Sequence, residues 1–401
     1  MMAKKALYVI TAPASWEEFA IRYRRHYLAE HLLRQDDTAA VIWIYAVKAT
    51  PRITGSYRKA KQEIEERFFS PVYDGRIIEC PLPDFVPGRA MRFKSGFGHL
   101  YFKKLKAMLK SYDAPKVLWF TYPLYPYLAK MVSWDVIAYD CSDLWSAPID
   151  GFRPRDFSSL FYDRLIRAAE KAIIDASGII FASSDFLAEK IKENTGREAL
   201  IIENGVDLGA IMKGPVQPAK IFEKIPRPRL GYVGSLKRKL DIELLETMAG
   251  DNPGWSLVLV GPSFLEGYAP FSRLLARKNV YFSGAVAKPS IAAYISGLQV
   301  GLLPYRDIEY NRASFPLKFY EYLAQGIPVV GCGLPSTSKL AQDQVYLHVD
   351  RDDFQQACEE ALTWTAAESE QDVDRRMELA RKANWEDKLS SMVEQVKRLM
   401  Q

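Results

Sequence analysis

Cysteine and histidine are scarce in this 401-residue chain, with four of each. Cys80, Cys141, Cys332 and Cys358 are scattered, with no Cys-x-x-Cys and no histidine cluster. The sequence therefore offers neither a disulfide framework nor a zinc site, and a reducing cytoplasm is the expected setting. Long apolar runs are missing too: no stretch approaches the roughly 20 residues needed to span a bilayer. At the N-terminus, "MMAKKALYVITAPASWEEF" sets lysines before an apolar run. That run is short and meets Trp16, Glu17 and Glu18 without a cleavage site, so a first β-strand is expected, not a signal peptide. Nor does one charge dominate. The 54 Lys and Arg against 49 Asp and Glu leave a net +5, too mild to imply nucleic acid. It is compatible with acidic substrates or an anionic membrane surface.

What is present is ordinary globular material, 48% hydrophobic and 26% charged, long enough for two or three domains. Short apolar runs recur in the first half: "ALYVIT", "AVIWIYAV", "RIIEC", "KVLWFT", "DVIAYD", "GIIFAS" and "ALIIE". Amphipathic stretches such as "SSLFYDRLIRAAEKAIIDA" lie between most of them. Continuous rather than alternating apolar runs predict strands buried on both faces, hence a parallel sheet covered by helices. Prolines cluster without periodicity in "MKGPVQPAKIFEKIPRPR", a linker signature. The pattern then restarts with "RLGYVG", "SLVLV", "NVYFSG", "QVGLLP", "IPVVG" and "VYLHV". The expectation is α/β: two Rossmann-like, doubly wound parallel-sheet domains facing across a cleft. Residues 1–212 form the first, 213–229 a linker, 230–383 the second, and 384–401 a terminal amphipathic helix.

Two stretches carry chemistry. In "RLGYVGSLKRKLDIELLE" a strand ends at Gly234 and Ser235, and a helix is expected to follow. Backbone N–H groups of such a turn, with the helix N-terminus and Lys237 or Lys239, can cradle a diphosphate. Glycines also serve plain tight turns, so this signal alone is weak. The second stretch is "ASFPLKFYEYLAQGIPVVG", where Lys318 and Glu321 share a helical face one turn apart. A lysine can neutralise phosphate oxygens, and a glutamate can accept hydrogen bonds from two vicinal ribose hydroxyls. The alternative is an exposed i,i+3 ion pair worth about 0.3 kcal/mol.

Taken in order, "YVGSL", "LVLVGP", "LLPY" (with Tyr305) and "PLKFYEYLAQGIPVVG" resemble a GT-B glycosyltransferase near glycosyltransferase family 4. "FASSDFLAEKI" and "IIENGVD" extend the resemblance over nearly the whole chain. It implies a UDP-sugar donor, bound through Gly234, Ser235, Lys237, Lys239, Tyr305, Lys318 and Glu321. One departure stands out: many family members carry a first glutamate eight residues before the second, and that position here is Ala313. Asn311 or Ser314 is the substitute candidate for contact with the sugar.

The "PLK" lysine is similar to that of a cell-envelope subgroup, the teichuronic-acid-type transferases and the xanthan glucuronosyltransferase. By the same resemblance, "IAYDCSDLWSAP" presents Asp143 as catalytic base beyond a strand ending at Asp140. Its alternative is a helix N-cap. On the acceptor side, Trp16 can stack on a sugar, while Arg22, Arg25 and His26 can meet a pyrophosphate or anionic acceptor. Against that, a charge run on a helix is commonly a solvated face. The acceptor implied is a polyprenyl-diphosphate-linked saccharide at the inner face of the membrane.

Residues 52–110 interleave basic residues with aromatics, which suits an anionic leaflet. Ordinary solvated helices are the alternative. The Asp-x-Asp in "VDRDD" and in "DVD" (Asp372 to Asp374) is expected to cap helices, so no essential metal is expected. The whole reads as a glycosyltransferase, peripheral on the cytoplasmic face. The rivals are a sugar-nucleotide epimerase of the same fold and a non-catalytic sugar-nucleotide-binding protein.

Overall fold

The computed structural model describes residues 5–17, 22–48, 54–84, 97–149, 151, 157–212 and 216–400. Its chain divides into two units. Met1–Ser146, Arg153–Ile202 and Leu389–Gln401 make the first; Ala147–Phe152 and Glu203–Lys388 make the second.

Among the described residues the first unit holds an eight-stranded sheet. Its strands are β1 (Ala6–Ala12), β2 (Thr38–Lys48), β3 (Ser70–Val72), β4 (Ile77–Asp84), β5 (Lys116–Phe120), β6 (Val136–Cys141), β7 (Ile179–Ala182) and β8 (Leu200–Ile201). Their order is β3-β4-β2-β1-β5-β6-β7-β8. All seven expected runs became parallel strands; only β3 was not anticipated, a three-residue edge strand antiparallel to β4. Every residue of β1 is buried, which explains why "ALYVITA" does not alternate. Between the strands run α1 (Arg24–Arg34), α2 (Thr54–Arg67), α3 (Phe97–Ser111), α4 (Phe157–Ala176) and α5 (Asp185–Thr195).

From Glu203 onward the first helix is α6 (Leu208–Ile211). Then follow β9 (Arg229–Val233), α7 (Ile242–Asp251), β10 (Ser256–Val260), α8 (Ala269–Leu275), β11 (Val280–Phe282), α9 (Ile291–Ile295) and β12 (Val300–Pro304). Next come α10 (Glu309–Arg312), α11 (Leu317–Ala324), β13 (Val329–Cys332), α12 (Pro335–Ser338), β14 (Tyr346–His348), α13 (Phe354–Ala367), α14 (Glu370–Lys382) and α15 (Trp385–Arg398). The six expected runs form one parallel sheet in the order β11-β10-β9-β12-β13-β14.

The strand order reverses between β9 and β12, the place where open α/β sheets bind ligands beyond their carboxyl ends. These two strands pair only at Val300–Leu230 and Gly301–Gly231. Further along, the Tyr322 hydroxyl of α11 takes over, accepting the Val233 N–H at 2.8 Å. Gly301 makes room for it, since a Cβ there would lie 2.5 Å from the Tyr322 ring.

The division of the chain differs from the expected boundaries for reasons visible in the bonding. Glu203 onward belongs to the second unit, not residue 213 onward. Asn204 donates to the Phe315 carbonyl at 2.7 Å, and Glu203 pairs with Lys339 at 2.8 Å. The expected linker is ordered where described. Phe222 is buried, and Arg229 donates to its carbonyl at 2.5 Å. Nor is the terminal helix a separate element. From Leu389 it joins the first unit, with Met392 and Val396 buried and Lys397 paired with Asp37 at 2.6 Å.

Candidate functional site

At the carboxyl end of β9, Gly234 follows Val233 at a φ of +154°. A Cβ added there would lie 1.6 Å from Lys318 Cε and 2.5 Å from its Nζ. The lysine side chain thus lies directly across the bare glycine. Gly261, after β10, is required for the same turn: its own Cβ would meet the Gly234 carbonyl oxygen at 2.3 Å. The Ser235 N–H donates to no acceptor among the described residues. Lys318 occupies the first turn of α11, which contains no acidic residue, so the partial positive charge of that helix end is uncompensated.

The helix expected to follow the glycine turn does not supply this charge. That helix is α7, which starts only at Ile242, and its N-terminus is already satisfied by the Asp241 carboxylate. Asp241 accepts the Leu244 N–H at 2.8 Å and pairs with Arg351 at 2.7 Å. The helix end beside Gly234 belongs to α11 instead.

Lys237 and Lys239 are turned onto aromatic rings. Lys237 Nζ lies 5.0 Å from the Phe264 centroid, and Lys239 Nζ lies 5.3 Å from Tyr305 and 5.6 Å from Tyr310. Tyr305 is buried beneath this loop, with its phenol pushed up to about 12 by desolvation. The expected contacts of Ser314 and Asn311 with a sugar are not supported. Ser314 is buried and its hydroxyl donates to the Tyr310 carbonyl at 3.0 Å. Asn311 is fully buried, its amide donating to the Lys239 and Arg306 carbonyls at 2.9 and 2.7 Å. Both residues pin loops, and Ala313 is buried beside them.

Glu321 shares a face of α11 with Lys318, but the two form no salt bridge, and no hydrogen bond to the Glu321 carboxylate exists among the described residues. The surface ion-pair alternative is thereby removed. The carboxyl is half-buried, and desolvation raises its pKa; Lys318 and then Lys288 oppose that shift, while Asp207 adds to it. Lys288 and Asp207 were not foreseen as site residues. "NGVD" signalled Asp207 as part of a motif, but nothing in "AVAKPS" marked Lys288.

On the first unit, Asp143 follows β6 in a loop and is half-buried. Ser142 Oγ donates to its Oδ2 at 3.3 Å. Desolvation raises the Tyr23 phenol pKa, with nearby Arg25 opposing and Asp143 reinforcing the shift. Asp143 caps no described helix, because the next one, α4, starts at Phe157.

The other acceptor-side residues are structural. Asp140 is buried in an ion pair with buried Arg24 at 2.8 Å, out of reach of an acceptor. Arg24 also donates to the Ile202 carbonyl at 2.5 Å, so the charge run on α1 is not a solvated face. Trp16 cannot stack on a sugar, because Trp43, His26 and Tyr73 pack around it at centroid distances of 5.0, 5.1 and 5.4 Å. Arg22 lies 4.5 Å from the same ring and pairs with Glu30 at 3.5 Å. His26 is buried, its Nδ1 accepting the Tyr23 N–H at 3.1 Å in a cap of α1.

Asp372 accepts the Ser369 N–H and hydroxyl at the start of α14, which is the capping role expected of it. In the basic stretch, residues 85–96 lie outside those described. On α3 the described aromatics turn inward: Tyr101 and Phe102 are buried, packing on Phe68 and Tyr125, whereas Tyr73 is 41% exposed. The basic side chains do reach solvent at Lys59, Lys61, Lys103 and Lys104, with Leu100 49% exposed beside them.

Residues 227–365 match the family model described as glycosyl transferases group 1. Over 399 residues the chain is 35% identical to a protein of Bacillus subtilis (strain 168) named as a teichuronic acid biosynthesis glycosyltransferase, TuaH, covering 96% of each chain. Among solved structures, sucrose-phosphate synthase from Thermosynechococcus elongatus matches with a TM-score of 0.69 at 16% identity over 99% of both chains. HepE from Anabaena, in complex with UDP-glucose, matches with a TM-score of 0.64 at 13% identity over 98% of this chain and 99% of that one. The two parallel-sheet units have the GT-B architecture of these structures, and the chain belongs to the group 1 glycosyltransferases.

Proposed function

We propose that this glycosyltransferase moves a sugar from a UDP-sugar to a polyprenyl-diphosphate-linked saccharide in cell-envelope or exopolysaccharide synthesis, with glucuronic acid the candidate sugar. The observation that carries the donor reading is the placement of Lys318 over Gly234, one helical turn before Glu321, whose carboxylate has no hydrogen-bond or ion-pair partner among the described residues. Support for the donor class comes from HepE, solved with UDP and with UDP-glucose. Support for the envelope setting comes from the name of the Bacillus relative.

In the proposed reaction the acceptor hydroxyl attacks the anomeric carbon as the bond from that carbon to the diphosphate oxygen breaks. Negative charge grows on the leaving UDP. Lys318, the positive end of α11 and the Ser235 N–H stabilise that charge, and no metal ion is required. Glu321 accepts the ribose hydroxyls, so that binding the nucleotide fixes the sugar for attack. Asp143 takes the proton of the acceptor hydroxyl.

The enzyme is proposed to work at the inner membrane surface. No helix among the described residues is long and apolar enough to cross a membrane. The exposed lysines of α2 and α3 provide the attraction to anionic lipid.

UDP release from a UDP-sugar, measured with and without a polyprenyl-diphosphate saccharide, tests the reading. Acceptor-dependent release is expected. Acceptor-free conversion of the sugar would favour an epimerase, and tight UDP binding without turnover a non-catalytic protein.

A further inference from the structure

Three segments remote in sequence come together at the helix that carries Glu321. Asp207 precedes α6, Lys288 precedes α9, and α11 carries Glu321; the three helices pack on one another. Asp207 does two things at once: its Oδ1 accepts the Ala210 N–H at 3.0 Å, capping α6, and its Oδ2 pairs with Lys288 Nζ at 3.5 Å. The cap ties the aspartate to the first turn of α6, and the ion pair tethers the lysine to that aspartate. A long flexible side chain is thereby held where an untethered one would roam.

We infer that Lys288, fixed by Asp207, is a positioning residue of the donor site, its ammonium supplying the charge against which Glu321 stands ready to accept hydroxyl hydrogen bonds. The inference rests on the proposed donor role of Glu321 and adds a residue to it.

The electrostatic surroundings support the assignment. The groups acting on Glu321 are Lys318 on its own helix, Lys288 before α9 and Asp207 before α6. Tyr232 of β9, Tyr305 after β12 and Tyr322 of α11 also feel its charge. All three phenols have raised pKa values and remain neutral in the physiological range. Two cations therefore oppose one carboxylate and the desolvation of a half-buried site. Lys318 is the cation that the proposed mechanism commits to the diphosphate. Lys288 is then left to compensate Glu321 when the donor is bound. Without it, protonation would begin at a higher pH, and a protonated carboxyl accepts less well and brings an O–H of its own.

The test is binding of UDP-glucose, whose diphosphate diester does not titrate in the range used, by calorimetry from about pH 8 down to about pH 5. Lys288→Met should bind within about twofold of wild type at the upper end. Its affinity should fall away earlier on acidification, severalfold below wild type toward the lower end of the range, because the Glu321 carboxyl then protonates at a higher pH. Lys288→Arg should restore the wild-type profile, and in a Glu321→Gln background Lys288→Met should no longer move it. A Lys288→Met profile parallel to wild type overturns the inference, provided that Glu321→Gln weakens binding. If Glu321→Gln binds as wild type, the donor reading itself has failed, and the two failures are distinguished.

Discussion

Lys318 lies across Gly234 so closely that a single methyl group at the glycine would occupy the place of the lysine's Cε, 1.6 Å away. The glycine's φ of +154° and the absence of its side chain are two separate requirements of one seat. Gly234→Ala should cost about 1–3 kcal/mol in backbone strain. The collision itself should cost less stability, because the end of a flexible lysine can move aside. Moving it displaces the ammonium, so turnover should fall about 3–10-fold alongside a lowered melting temperature, a loss of about 1 kcal/mol in stabilising the leaving diphosphate. Wild-type turnover in a folded Gly234→Ala protein would detach the lysine's seat from the departure of the diphosphate.

Tyr322 makes a different kind of link, between the packing of α11 and the opening of the sheet. Its buried hydroxyl accepts the Val233 N–H where β9 and β12 part. Tyr322→Phe would leave that N–H without an acceptor, at a cost of about 1–3 kcal/mol. Urea denaturation should report this as a lower midpoint with an unchanged slope. Equal midpoints would mean that the strand ends close without the hydroxyl.

Much of this was legible in the sequence, and what was not has a physical reason. Parallel strands buried on both faces announce themselves as continuous apolar runs, so thirteen of the fourteen strands among the described residues were expected. The three-residue β3, containing Pro71, has too little pattern to read. Lys318 and Glu321 were legible because helical spacing is local. Trp16 and His26 were misread because an aromatic near a loop looks the same whether it meets a ligand or Trp43. Asp140 was misread because its partner, Arg24, is 116 residues away. The donor helix end was assigned to α7 by sequence proximity, whereas α11 reaches Gly234 from 84 positions further on. Pairings across the chain carry no local signature, and Lys288 with Asp207 is another such case.

Asp143 can be tested by two substitutions. If it takes the acceptor proton, Asp143→Asn should lower turnover by about 10²–10⁴-fold while UDP affinity and melting temperature stay near wild type. Asp143→Ala should lose turnover similarly, with little loss of stability, since no described helix depends on this residue for a cap. An active Asp143→Asn enzyme would remove it from the chemistry.

Attraction to anionic lipid should be electrostatic here, because the described aromatics of α3 are internal. Binding to anionic vesicles should exceed binding to neutral ones and fall steeply with salt. Replacing Lys103 and Lys104 with glutamate should weaken it by about 1 kcal/mol per lost charge or more. Salt-independent partitioning would instead require apolar insertion.

The most direct test of the donor site is a calorimetric titration of UDP into the wild-type protein and into Lys318→Ala and Glu321→Ala, with turnover measured on the same preparations. Glu321→Ala should bind UDP more weakly by about 1–3 kcal/mol, the value of a charged hydrogen bond to the ribose. Lys318→Ala should chiefly lose turnover, since its charge matters most as the diphosphate leaves. Wild-type UDP affinity and wild-type turnover in both variants would contradict the assignment of this site to the donor.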